Sequence, residues 1–155
     1  MRLPFPARVL LILLISGACL PGYAAGARAA NSPSDTIQGK LIVGAQGSLH
    51  VATASGDVVV TSTDSSILHT LRDPRMNGRE VRLEGQLQNP SNAAKAIDVA
   101  HVFTVRDGKL FRLRFYCHVC NIPATEPGPC VCCQRWTDLE EIPASQVTDD
   151  MVLVP

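Results

Sequence analysis

Five cysteines stand between Cys117 and Cys133, and this cluster constrains the chain more than any other feature of its sequence. Their spacing is Cys117-x2-Cys120-x9-Cys130-x2-Cys133, with Cys132 as a fifth thiol inside the second pair. Two tight turns at the tip of a β-hairpin can each offer a pair of thiolates. Four thiolates satisfy tetrahedral Zn²⁺ at about 2.3 Å each. The intervening segment 121–129 is polar and holds three prolines, so it reads as the loop between the turns. Its flanks support a hairpin. Segment 110–116 (LFRLRFY) alternates an apolar face of Phe111, Leu113 and Phe115 with a face carrying Arg112 and Arg114, and 136–142 can supply the returning strand. The predicted metal ligands are Cys117, Cys120, Cys130 and Cys133, holding a structural zinc.

Other chemistries compete for the same residues. A disulfide-stapled hairpin suits an exported protein and would leave one cysteine over. A thioredoxin-type redox pair lacks the βαβ context and the helix N-terminus that lowers a thiol pKa. Covalent haem needs a histidine directly after the second cysteine, but Asn121 follows Cys120 and Gln134 follows Cys133. Cys132 is open to two roles, alternative ligand or free thiol. Three thiols in four residues also favour a soft ion such as Cu(I). As a free thiol in an oxidising compartment, Cys132 could link two chains by a disulfide. His118, inside the first turn, is expected to point outward.

Upstream, the pattern is that of short strands. Segments 36–43, 48–53 and 58–60 read as strands separated by turns at 44–47 and 55–57. Asp64 then caps a short helix with Ile67, Leu68 and Leu71 on one face, which Pro74 must end. Asn77-Gly78 turns the chain into strand 80–87, and 96–105 is a fifth strand with Ile97, Val99, Val102, Phe103 and Val105. Three strands, a helix and two strands match the connectivity of the five-stranded OB barrel. Another small β-barrel or a sandwich fragment fits the same signals. The run Asp73-Pro74-Arg75-Met76-Asn77-Gly78-Arg79-Glu80-Val81-Arg82-Leu83-Glu84-Gly85 resembles the helix-to-fourth-strand segment of exported bacterial OB-like domains. The cysteine segments 116–122 and 126–134 are similar to the C-terminal end of small exported bacterial proteins of uncharacterised function. In those a barrel carries a cysteine-rich tail, so the resemblance implies a two-part architecture and no activity.

The first residues read as an address. Met1 to Arg8 holds two arginines and no acid, and an apolar run over 9–20 ends at Pro21-Gly22. That run is too short for a membrane span, which needs about 20 residues, and suits a secretory signal cut near Ala27 or Ala29. The rival reading is a lipoprotein signal cut before Cys19, which would attach the chain to a membrane. Without the leader, eleven basic residues face fourteen acidic ones. The charge therefore argues against a nucleic-acid partner. Aromatics argue the same way, since only Phe103 lies between 36 and 105 and single-strand binders stack bases on such rings.

The histidines His50, His69 and His101 show no metal-ligand spacing, and no nucleophile–base set or phosphate loop is visible. The expected organisation is a signal peptide over 1–29, a linker over 30–35, an OB-like β-barrel over 36–105, a zinc-ribbon-like hairpin over 106–142 and a C-terminal tail over 143–155. The expected product is a mainly β, exported, periplasmic or secreted module that binds a protein partner and is not an enzyme. The alternative is a soft-metal (copper) handling or thiol-redox protein.

Overall fold

The computed structural model describes residues 34–88 and 94–155. The expected signal peptide, Cys19, residues 30–33 of the linker and the loop 89–93 lie outside the described residues. The chain is mainly β. The strands are β1 (Asp35–Val43), β2 (Leu49–Thr53), β3 (Gly56–Thr61), β4 (Glu80–Gln88), β5 (Ala96–Arg106), β6 (Lys109–Cys117), β7 (Ile122–Ala124) and β8 (Asp138–Pro143). The α-helix, α1 (Ser65–Arg72), falls between β3 and β4.

Five strands close a ring. β1 pairs antiparallel with β2 and with β4, β2 with β3, and β4 with β5. A short parallel contact between β3 and β5, with Val59 opposite Ala96 and Thr61 opposite Asp98, completes the circuit. Alternation sends Leu41, Val51, Val81, Leu83 and Ile97 inward, all fully buried. Closure requires a bend, and the bend is visible in the register: Glu84 faces His101 while Gly85 faces Val99, leaving Ala100 as an extra residue on β5. The inward set on β5 accordingly changes parity, from Ile97 and Val99 to Val102 and Thr104. Gly85 lies so close to β5 that a Cβ would sit 2.0 Å from the Asp98 carbonyl oxygen. Gly39 is under the same constraint from Ala52.

The helix starts and stops where its sequence dictates. The Asp64 carboxylate accepts a hydrogen bond from the Ser66 N–H at 2.8 Å, and the Ser66 hydroxyl and N–H hold its pKa below the usual range. Ile67 and Leu71 enter the buried cluster, with Leu68 packed against it. Pro74 then opens a single 3-10 turn over Pro74–Met76 that buries Met76.

β6 leaves the ring through a hairpin with β5, in which Thr104 faces Phe111 and Arg106 faces Lys109. Along its length β6 pairs with β8, and at its end with β7. Phe111, Leu113 and Phe115 face inward, and Leu113 and Phe115 belong to the same buried cluster as Leu41 and Val81. The hairpin therefore shares the ring's core. The C-terminal residues return to it as well. The Val154 N–H donates to the Leu113 carbonyl at 2.9 Å, and the Val154 side chain is fully buried. On the other face of β6, Arg114 pairs with Glu140 of β8, while Glu141, opposite Leu113, is reached by both Arg79 and Arg106. None of the helices among the described residues is long and apolar enough to cross a membrane.

Candidate metal centre

The alternation that buries Phe115 also decides where the first cysteine goes. Cys117 is two residues further along β6, on the same inward face, and is buried. The chain then turns through His118 and Val119 to Cys120 and reverses at Asn121, whose φ is +54°. The second turn repeats this plan. Cys130 is buried, Val131 and Cys132 form the tip, Cys133 follows, and Gln134 reverses the chain at φ +59°. Asparagine tolerates this left-handed conformation and glutamine does so less readily. Around the second turn the Gln134 N–H donates to the Cys130 carbonyl at 2.9 Å, and the Cys130 N–H donates to the Arg135 carbonyl at 2.7 Å.

The four predicted ligands come together. The Sγ atoms of Cys117, Cys120, Cys130 and Cys133 all lie within 4.8 Å of one another. Cys117 and Cys133, the first and last in sequence, approach to 3.5 Å. A tetrahedron of thiolates on one Zn²⁺ has S–S edges of about 3.8 Å, which falls between the 3.5 Å of the Cys117–Cys133 pair and the 4.8 Å limit on the group. These distances exceed the roughly 2.05 Å of a covalent S–S bond, and all five thiols among the described residues are free.

Backbone donors match the set. The N–H groups of Cys120 and Val119 point at the Cys117 sulfur, and those of Cys133 and Cys132 at the Cys130 sulfur. In each turn, then, the first sulfur is prepared to carry negative charge by two amides of the same turn. For Cys130 the amides of Cys133 and Cys132 dominate and bring the thiol down to about 7. For Cys117 the Cys120 amide acts in the same sense, but burial and the thiols of Cys133 and Cys130 outweigh it, and the pKa rises. Cys120 is pushed up strongly, first by the Cys132 thiol and then by burial and by Cys133 and Cys130. Crowded thiols without a cation resist ionising together. A divalent ion resolves that conflict by replacing their protons.

The remaining sequence candidates divide clearly. Cys132 is exposed and stands outside the group of four. His118 points outward, its Nε2 3.0 Å from Glu140 Oε1 and its ring edge-on to Tyr116. His50, His69 and His101 do not join the cluster; His69 Nδ1 instead lies 2.6 Å from Glu126 Oε2, linking α1 to the loop between the two turns.

Reading the sequence missed the tether beneath the second turn. Arg75 holds the Asp73 carboxylate through its side chain and donates from Nη1 to the Thr137 carbonyl at 2.9 Å, with its guanidinium over the Phe115 ring. Thr137 in turn donates from both its N–H and its hydroxyl to the Gly128 carbonyl, each at 3.0 Å. Pro74 signalled the end of the helix, but nothing local tied Arg75 to a residue about sixty positions away. Comparison with protein families, with curated proteins and with solved structures returns no match for this chain.

Proposed function

We propose that this chain is an exported, non-catalytic binding or assembly module, in which an OB-like ring carries a zinc-ribbon-like hairpin held by one structural Zn²⁺. The observation that carries the reading is the paired turns: four Sγ atoms within 4.8 Å, with two amides aimed at the first sulfur of each turn. Four thiolates close the coordination shell and leave no position for a water nucleophile, so the ion's role is to hold the hairpin tip together. The OB-like assignment draws on the ring order β1-β2-β3-β5-β4 with a helix between β3 and β4. The export assignment draws on the leader's composition.

A binding role is supported by the surface around the metal site. Trp136 is 71% exposed and Val131 83%, and Val119 of the first turn is exposed as well. Trp136 with Asp73, Pro74 and Arg75 lines an open cleft of about 350 Å³. Apolar groups so exposed suit a protein partner, and the eleven basic against fourteen acidic residues that remain without the leader do not suit nucleic acid. Membrane attachment would come only through a lipid on Cys19. The second reading, soft-metal handling or thiol redox, is favoured by Cys132 as a free, exposed fifth thiol next in sequence to Cys133.

Metal analysis of protein purified from the periplasm separates the two. One zinc per chain, lost in Cys133→Ser and kept in Cys132→Ser, supports the structural site. Copper, or two disulfides and no metal, overturns it in favour of the second reading.

A further inference from the structure

β5 and β6 separate after a short ladder, and another part of the chain occupies the gap. The ladder sets Thr104 against Phe111, Val105 against Leu110 and Arg106 against Lys109. The same register, continued, would place Val102 opposite Leu113 and bond the two directly. Instead the Val102 N–H donates to the Pro155 carbonyl at 3.0 Å, and the Leu113 carbonyl accepts from the Val154 N–H at 2.9 Å. Residues 154 and 155 thus stand as an inserted strand segment between two strands of the sheet. β8 runs along the opposite edge of β6, so the gap lies between the β5 pairing at Phe111 and the β7 pairing at Phe115. Val154 fills it from within, fully buried in the cluster that holds Val102 and Leu113. Buried N–H and C=O groups need partners, so this gap accepts an extended chain by its construction.

The present occupant is held by few contacts. Beside the two backbone bonds it receives one more, from Arg112 Nη2 to the Val154 carbonyl at 2.7 Å. Residues 151–155, the arm, belong to no helix or strand, and Val152 and the preceding 148–150 are exposed. Arg112 itself is incompletely satisfied. Its Nε is buried without a hydrogen-bond partner, and among the described residues no carboxylate pairs with its guanidinium. Glu84, the acid whose charge it feels, is paired with Arg82. Burial pulls the Arg112 pKa below its ordinary value, and the guanidinium lies 5.2 Å from the centre of the Phe103 ring. A cation is thus set beside the gap with a donor to spare and no anion to receive it.

We propose that the gap between β5 and β6 is a docking site for an extended segment of a partner protein, one carrying an apolar β-branched residue beside a carboxylate, and that the arm is an internal occupant which this segment displaces. This rests on the binding-module reading given above and names the partner's chemistry. The incoming segment adds as a strand, accepting from the Val102 N–H and donating to the Leu113 carbonyl as the arm does. Its β-branched side chain takes the place of Val154. Its carboxylate pairs with Arg112, a charge-assisted contact that the arm lacks, because Leu153 and Pro155 on either side of Val154 carry no charge. Arm and partner share the backbone bonds, so the charge at Arg112 is what favours the partner.

The test titrates the full chain, as purified, with synthetic peptides of residues 148–155 blocked at both ends. One peptide has the native sequence, and two others carry Leu153→Glu or Pro155→Glu. Binding is read from the backbone amide shifts of Val102 and Arg114. At least one glutamate peptide should bind on the order of tenfold tighter than the native sequence, and Arg112→Gln in the chain should abolish that advantage. Val154→Asp in the chain should expel the arm, since the core does not tolerate an unpaired carboxylate, and tighten binding of all three peptides by about tenfold or more. A second measurement needs no variant. In the wild type the Val154 amide should exchange at least about tenfold faster than those of Val81 and Leu83. Glutamate peptides no tighter than the native one, an advantage that survives Arg112→Gln, or shifts that miss Val102 and Arg114 overturn the proposal. So does a Val154 amide as slow as those of Val81 and Leu83, which would make the arm a fixed part of the core. A wild-type dimer with exchanged arms, seen by sedimentation, overturns it by assigning the gap to a second copy. Each of these outcomes leaves the zinc-bearing module standing. Zinc content of the same samples tests that reading separately, and protein that purifies without zinc overturns it whatever the peptides do.

Discussion

Arg75 and Thr137 are joined by a 2.9 Å hydrogen bond from the guanidinium to a backbone carbonyl, across sixty-two positions of sequence. The contact fastens the base of the second cysteine turn to the 3-10 turn that follows α1. Arg75 is held in turn by Asp73, whose side chain is buried, and by the face of Phe115. One arginine therefore connects the ring of strands, its core and the metal-site hairpin.

That connection has a pH signature. Burial alone would raise the Asp73 carboxyl, but the Arg75 side chain and N–H and the charge of Arg79 overcome it and hold the pKa below the ordinary carboxylate value. A carboxyl depressed in the folded state adds stability above its unfolded pKa and loses it as pH falls through the folded value. Asp73→Asn should lower the urea midpoint at pH 7, and the gap from wild type should close below about pH 4. A gap unchanged between pH 7 and pH 3 would show that the charge is not what matters.

Removing the metal should loosen a limited part of the molecule. Leu113 and Phe115 lie in the ring's own core, whereas residues 118–136 bury little besides Cys130. Amide exchange after chelation should speed up across 118–136 and leave Val81, Leu83 and Val102 protected. Uniform loss of protection would mean that the ion supports the whole fold.

Zinc uptake should release protons and tighten as pH rises. Cys117 and Cys120 are raised from the ordinary thiol value, so both are protonated at pH 7 and must give up protons to bind. Cys130, near 7, contributes a further proton below that value and progressively less above it. Calorimetry in buffers of different ionisation enthalpy should show proton release falling by about one as pH is raised from 6 to 8.

Ring closure should depend on Gly85. A Cβ there meets the Asp98 carbonyl carbon at 2.8 Å as well as its oxygen at 2.0 Å, and both are backbone atoms that cannot swing aside. Gly85→Ala should cost more than about 3 kcal/mol, measured by chemical denaturation. Lys109→Ala, on the exposed hairpin end, should change stability by less than about 0.5 kcal/mol.

The sequence alone determined what depends on neighbours along the chain. The alternation of Phe111, Leu113 and Phe115 correctly gave the inward face of β6, and continuing it two residues places Cys117. Asp64 and Pro74 bounded α1 because capping and the missing proline N–H act within a turn. The cysteine spacing anticipated the group of four because each pair is set by its own tight turn. What remained hidden depends on contacts between distant segments. The pairing of Val59 with Ala96 that closes the ring has no local signal. The extra residue Ala100 changes parity halfway along β5, a shift that strict two-residue periodicity cannot show until β4 is beside it. Val154 reads as part of a tail and is buried, because its backbone completes a hydrogen bond to Leu113. Cys132 is next to Cys133 in sequence yet is exposed and outside the group of four, since only the folding of one turn against the other selects which sulfurs meet.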